Sequence, residues 1–405
     1  MNRYDPYHPD ALASPYPFYQ RLRESDPVHW GISGAADREG IWYVLRYTDV
    51  IAALKDQRLG REVERVRPST PTADSHEHQI LNDIAQHWMI LRDPPVHTRL
   101  RGLVNKAFTP RMAEQAEPRI AEIADMLVAA TLERGSIDII HELSRPLPVL
   151  VIAEVLGVPA EDHALFLPWA LALAATIDLR QTPEVRRRGA DAMANMVAYL
   201  RGVIAARRRT PRDDLLSALL SVEQDGSALS EDEVLGTIIL LLTAGNDPVT
   251  FMIGNFVLTL LQHPEALARL RSEPGLIERA ADELLRYDSS VQMTFRYALE
   301  DVSYGGRAIR AGDQLALVFG SALRDPAYTP DPERFDLDRL NHRLPYGLGI
   351  HFCLGSALAR SQGRIALETL LRHLPNMELA TETLMWQPAA AVRGVTTLPI
   401  RFETR

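Results

Sequence analysis

The chain has 405 residues, is 46 % hydrophobic and 24 % charged, and carries a formal net charge of −9. That length supports a large buried core, and the acidic balance excludes the basic footprint of a nucleic-acid binder. A single cysteine excludes an internal disulfide and suits a reducing compartment.

In chain order, 17–24 reads as a helix and 41–45, Ile-Trp-Tyr-Val-Leu, as a strand rich in β-formers. Asp93-Pro94-Pro95 stops the chain before a helix that places His97 and Arg101 on one face. Trp88 lies one turn earlier and is a candidate to face a ligand. From 110 to 290 apolar residues recur three and four apart, the spacing of packed helices. Ser230 and Glu233 form a capping box for a helix that runs to Gln262 and is ended by His263-Pro264. Such a rod is about 50 Å long and apolar on all sides, so it is buried. Inside it lies Ala244-Gly245-Asn246-Asp247-Pro248. Pro248 has no N–H to offer the Ala244 carbonyl, so the helix is expected to kink or open there. Strand signals return at 313–319 and 398–402.

The architecture is therefore mainly α, with a small β-rich region assembled from both ends of the chain. No linker, repeat or low-complexity run divides it, and residues 1–405 read as a single domain. No apolar run is read as reaching the ~20 residues that span a bilayer, and no signal peptide is apparent. A cytoplasmic protein without membrane or nucleic-acid partners is expected.

Cys353 lies in Tyr346-Gly347-Leu348-Gly349-Ile350-His351-Phe352-Cys353-Leu354-Gly355, just before a helical sequence. A sulfur at a helix N-terminus is expected to favour the thiolate. The glycines let the backbone pass close to something large and flat. An anionic sulfur in a glycine-lined notch suits an axial ligand to haem iron.

This segment resembles the haem-binding signature of the cytochrome P-450 family, Phe-x-x-Gly-x-x-x-Cys-x-Gly, with Tyr346 in place of Phe. Residues 244–248 are similar to the family's oxygen-binding groove, Ala-Gly-x-Asp/Glu-Thr, with Pro248 in place of the threonine. Thr250 is about 200° further round the helix and cannot simply replace it. The stretch 93–101 resembles Asp-Pro-Pro-x-His-x-x-x-Arg. Glu283, Arg286 and the segment 331–335 resemble the family's charge-triad elements.

The resemblance implies the cytochrome P-450 fold with the long helix, about 230–262, crossing above haem b. It implies Cys353 as the iron ligand, with Tyr346, Gly347 and Gly355 beside the cofactor. His97, Arg101, Arg296 and His351 would hold the haem propionates. Ala244, Gly245, Asp247 and Pro248 would form the oxygen groove, and Glu283, Arg286 and Arg334 a structural triad. Substrate contacts are expected from 61–90, 165–179, 240–244, 291–293 and 390–396, notably Leu240, Thr243, Ala244, Val291, Gln292, Met293 and Val392. These stretches mix apolar residues with Gln292, Thr243 and Arg393, which fits an apolar or aromatic substrate with one polar handle.

The implied activity is a haem-thiolate monooxygenase that uses O2 on a small organic molecule of secondary metabolism. The chain has no flavin or pyridine-nucleotide motif, so electrons would come from a ferredoxin and ferredoxin reductase. Lys106, Arg99, Arg343, Arg360 and Arg364 form a candidate docking patch. Three alternatives stay open: an oxidase that couples aromatic groups or forms a ring without oxygen insertion, peroxide-driven turnover, and a non-catalytic haem sensor or carrier.

Overall fold

Both ends of the chain contribute to the sheets. In the computed structural model, which describes residues 3–34, 40–66, 76–176, 182–224, 226–339 and 344–404, five strands form the larger one. They are β1 (Val28–Gly31), β2 (Ile41–Val44), β3 (Leu59–Gly60), β4 (Met293–Ala298) and β5 (Gln314–Val318), in the order β1-β2-β5-β4-β3. β2 runs parallel to β5, pairing Trp42 with Leu315, while β3 closes the edge against β4 with Gly60 opposite Tyr297. The smaller sheet joins Pro399–Arg401 to Ser136–Asp138 and Glu378–Leu379.

The rest is chiefly helical. Six helices position the site: α1 (Val96–Ala107), α2 (Pro110–Ala129), α3 (Glu231–Ala244), α4 (Asp247–Gln262), α5 (Ile277–Tyr287) and α6 (Ser356–His373). α6 packs against α2, α4 and α5. Val104, Ile120, Ile238, Ile253, Leu284 and Leu367, one from each helix, are essentially inaccessible and belong to one cluster. Burying each contributes roughly 1.5–3 kcal/mol. A second cluster lies under the sheet, around Val44, Leu315 and Leu317. A third joins Tyr4, Tyr19 and Tyr43 to Met293 and Val318.

The capping box at Ser230 and Glu233 forms as read, with reciprocal bonds of 3.2 and 2.9 Å. The single rod does not. α3 ends with the Gly245 N–H donating to the Leu241 carbonyl at 3.2 Å, and Asn246, at φ −89°, ψ −73°, is the cap from which the next helix starts. α4 restarts when the N–H groups of Val249 and Thr250 donate to the Asn246 carbonyl at 3.1 and 2.9 Å. A Cβ at position 245 would lie 2.8 Å from the Leu241 oxygen, so the break requires glycine.

The expectation that nothing is long and apolar enough to span a bilayer is also corrected. Residues 231–262 pass that test by length and composition, yet 78 % of the apolar window is buried inside the protein. It is a core helix pair.

Candidate functional site

The Cys353 loop is built by its own backbone. Gly349–His351 makes a 3-10 turn, the Phe352 N–H donates to the Gly349 carbonyl at 3.1 Å, and the Cys353 N–H to the Tyr346 carbonyl at 2.9 Å. Gly349 has φ +76°, and a Cβ there would meet the Leu54 carbonyl oxygen at 2.9 Å. The loop therefore lies against the end of helix Tyr47–Lys55 in a way only glycine allows. Cys353 is part-buried, two residues before Gly355 at the start of α6. Burial pushes its thiol pKa up, against the Gly355 N–H and the Arg101 charge, which pull it down. Desolvation therefore opposes the thiolate that the sequence reading expects, and a bound metal cation would favour it.

Cations crowd the same region. His97 on α1 is 2 % exposed, neither ring nitrogen has a hydrogen-bond partner, and its ring centre lies 4.3 Å from that of His351. Arg296 on β4 is buried and donates to the Phe295 carbonyl at 2.8 Å. Arg101 donates to Asn105 Oδ1 at 3.1 Å. The buried indole N–H of Trp88 has no partner. Burial first, then Arg61, Arg296, His97 and Arg101, pushes the His351 pKa down to about 2. Arg61, which the sequence reading placed only at the edge of a substrate stretch, joins this cluster. Its Nη2 donates to Thr294 Oγ1 at 2.8 Å and its buried Nε has no partner. The signal for it was tertiary, in the pairing of β3 with β4.

Above this cluster the α3–α4 break exposes Gly245, while Ala244, Asp247 and Pro248 are half-buried within an otherwise buried helix pair. Burial pushes the Asp247 carboxyl pKa up, and Arg145, whose Nε is buried without a partner, pulls it back. Thr250 is fully buried and donates to Asn246 Oδ1 at 3.3 Å, so its hydroxyl does not stand in for the one Pro248 lacks.

Several expected substrate contacts point elsewhere. Thr243 is buried with its hydroxyl donating to the Ile239 carbonyl at 2.7 Å, and Leu240 is buried in the helical core. Gln292 donates to the Ser289 carbonyl at 2.7 Å and approaches the Tyr16 hydroxyl at 3.4 Å, while Met293 joins the aromatic cluster. Arg393 is held by Asp288 at 2.8 Å and the carbonyls of Leu12 and Ala13 at 2.5 and 3.0 Å, and it stacks on Trp386. Thr243 and Arg393 are spent on internal bonds, whereas Gln292 keeps a buried Oε1 without a partner and is the one of the three with polar capacity left. Val291 and Val392 do meet, as a half-buried antiparallel bridge. Of the remaining stretches, 67–75 and 177–179 lie outside the described residues.

The family profile of "Cytochrome P450" matches residues 41–387. The chain belongs to the cytochrome P450 family.

Similar proteins include the "Biotin biosynthesis cytochrome P450" of Bacillus subtilis, 38 % identical over 97 % of this chain and 98 % of that one. "Cytochrome P450 monooxygenase PikC" of Streptomyces venezuelae is 39 % identical over 97 % of this chain and 92 % of its own. Among solved structures, P450BioI in complex with an acyl carrier protein ligated to hexadec-9Z-enoic acid superposes with a TM-score of 0.89 at 36 % identity, covering 97 % and 99 % of the two chains. CalO2 superposes with a TM-score of 0.90, also at 36 % identity and with full coverage of both.

This P450 is a haem-thiolate monooxygenase, with haem b as cofactor and a small-molecule substrate, O2 and a redox partner as its reactants. The residues fit that cofactor. His97, Arg61 and Trp88 present buried polar atoms with no partner. Gly355 leaves open space beside Cys353, since a Cβ there would meet nothing within 4 Å. A flat group bearing two carboxylates satisfies both features.

The expected triad needs a correction in this P450. Glu283, 0 % exposed, accepts from Arg286 at 2.7 and 2.9 Å and from Arg339 at 3.2 Å. Arg334 is not the third charge. Its side chain is 70 % exposed, and only its backbone carbonyl enters, accepting from Arg286 at 3.3 Å and Arg339 at 3.2 Å. The expected docking patch is not free either. Arg99 pairs with Glu233, Arg360 with Asp282 and Arg364 with Glu117 and Glu368, while Lys106 donates to the Glu223 carbonyl. Arg343 lies outside the described residues.

Proposed function

We propose that this P450 inserts one atom of dioxygen into an apolar natural product, with electrons delivered by a ferredoxin and its reductase. The observation that carries the reading is the set of buried polar atoms without a partner (both ring nitrogens of His97, Arg61 Nε and the Trp88 indole N–H) gathered with Arg101, Arg296 and His351, a donor set suited to a haem with two carboxylates. Haem, when bound, supplies the activation of dioxygen and the oxidation of unactivated C–H bonds.

This chain's residues would do the rest. Cys353 would ligate iron, while Arg101 and Arg296 would neutralise the propionates and His97 and His351 would orient them as neutral hydrogen-bond donors. Asp247, its carboxyl pKa raised by burial, keeps a proton to higher pH than a free aspartate and so can pass one on beside the break. Tyr346, Gly347 and Gly355 would shape the notch. The meeting of Val291 with Val392 supports a largely apolar substrate, with the partnerless Oε1 of Gln292 as the one polar group left among those expected there. Relatives support the substrate class: one is a biotin biosynthesis P450, another a mycinamicin IV hydroxylase/epoxidase. The lone cysteine supports a reducing, cytoplasmic setting, and the chain is read as one catalytic unit.

Pro248 favours a second reading, oxidative coupling without oxygen insertion, because the groove lacks a hydroxyl to help deliver protons. Turnover under isotope-labelled dioxygen separates the two. The first reading expects label in the organic product, and label recovered only in water would replace it with the second.

A further inference from the structure

Arg61 is not among the residues that the family motifs assign to the cofactor, yet its place in the sheet puts it directly before one. β3 pairs with β4 in the register Leu59 to Ala298 and Gly60 to Tyr297, and the next pair in that register is Arg61 with Arg296. Like charges directly opposite one another across two strands repel. Here both are also desolvated, and burial with mutual repulsion holds the Arg61 pKa well below the usual guanidinium range.

The nearby acid offsets the clash only in part, since Asp93 pulls both guanidinium pKa values up and both still stay lowered. The Asp93 carboxylate is taken up by the backbone N–H groups of Arg61, at 2.9 and 3.1 Å, and of Glu62, at 3.1 Å, with Arg65 at 3.5 Å. Thr294 lies two residues before Arg296 and so on the same face of β4; its hydroxyl accepts from Arg61 Nη2 at 2.8 Å and fixes that guanidinium in place. The Arg61 Nε remains buried without a partner. Two neighbouring guanidinium forks, one of them already oriented and short of an acceptor, form a receptor for a carboxylate.

We propose that Arg61 and Arg296 close on one carboxylate, with Thr294 as the positioning residue for Arg61, and that this carboxylate is a haem propionate. A free carboxylic acid bound as substrate has the same chemistry, and the test separates the two sources.

The holoenzyme and its Arg61→Gln, Arg61→Lys and Thr294→Val variants are mixed with excess apomyoglobin, and the rate of haem transfer is followed by absorbance. Loss of one charge-assisted contact is expected to speed transfer about tenfold or more in Arg61→Gln. Lysine should restore part of the loss, and Thr294→Val should give a smaller rise, which keeps the proposal testable if Arg61→Gln folds poorly. Reconstitution with the dimethyl ester of haem should abolish the difference between wild type and Arg61→Gln. If transfer rates are equal but Arg61→Gln weakens the spin-state response to hexadecanoic acid and not to its methyl ester, the carboxylate belongs to the substrate. Equal behaviour in both assays overturns the proposal.

Discussion

At the scale of single residues, Asp247 and Arg145 form the pair whose chemistry is most open to measurement. Burial raises the Asp247 pKa and Arg145 opposes it, so removing the guanidinium leaves desolvation unchecked. Arg145→Leu is expected to move the alkaline limb of the pH profile for coupled product formation to higher pH. The sign for stability is the reverse. An acid whose folded pKa is raised loses stability as pH rises from its unfolded value to its folded one, and the variant widens that window. Rates of product formation and urea midpoints across the pH range check both; a profile that stays in place means Arg145 does not act on Asp247. Asp247 was legible in the sequence because a charge inside an apolar helix requires a reason. Arg145 was not, since more than 100 residues separate the two and only packing of the π turn Ile139–Ser144 against α4 brings them near.

Among elements, the break between α3 and α4 decides how the groove works. The sequence foretold an opening from Pro248, since a missing N–H is a local fact. It did not foretell two separate helices, because the Asn246 geometry depends on what Gly245 and its neighbours pack against. Pro248→Thr should return an N–H to the Ala244 carbonyl, adding about 1 kcal/mol, and place a hydroxyl in the groove. The fraction of electrons recovered in product is expected to rise severalfold, read as product formed per reduced nicotinamide consumed. An unchanged fraction would mean that proton delivery does not pass through this position.

For the molecule as a whole, Glu283 is the brace. Its carboxylate gathers α5, the backbone N–H of Asp336 at 3.0 Å and Arg339, tying the helical core to the segment that leads into the Cys353 loop. Breaking a buried ion pair by removing one partner costs about 3–5 kcal/mol, because the other charge stays buried. Glu283→Gln should lower the urea midpoint accordingly and release haem faster, and a midpoint within error of wild type would deny the brace its role. The mistaken choice of Arg334 has a simple cause. The turn closed by its N–H on the Asp331 carbonyl at 3.0 Å sends the side chain outward and leaves the carbonyl facing the triad.

Sequence alone determined the features that rest on spacing and backbone chemistry: the glycine-flanked Cys353, His97 and Arg101 on one helix face, the Ser230 capping box and the interruption at Pro248. Each is settled within a few residues, by steric limits and missing or extra donors. Tertiary structure alone decided which cation meets which acid, how far burial weighs on the thiol, and where Thr243, Gln292 and Arg61 point. Those outcomes follow from desolvation and from partners far along the chain, and no local pattern records either.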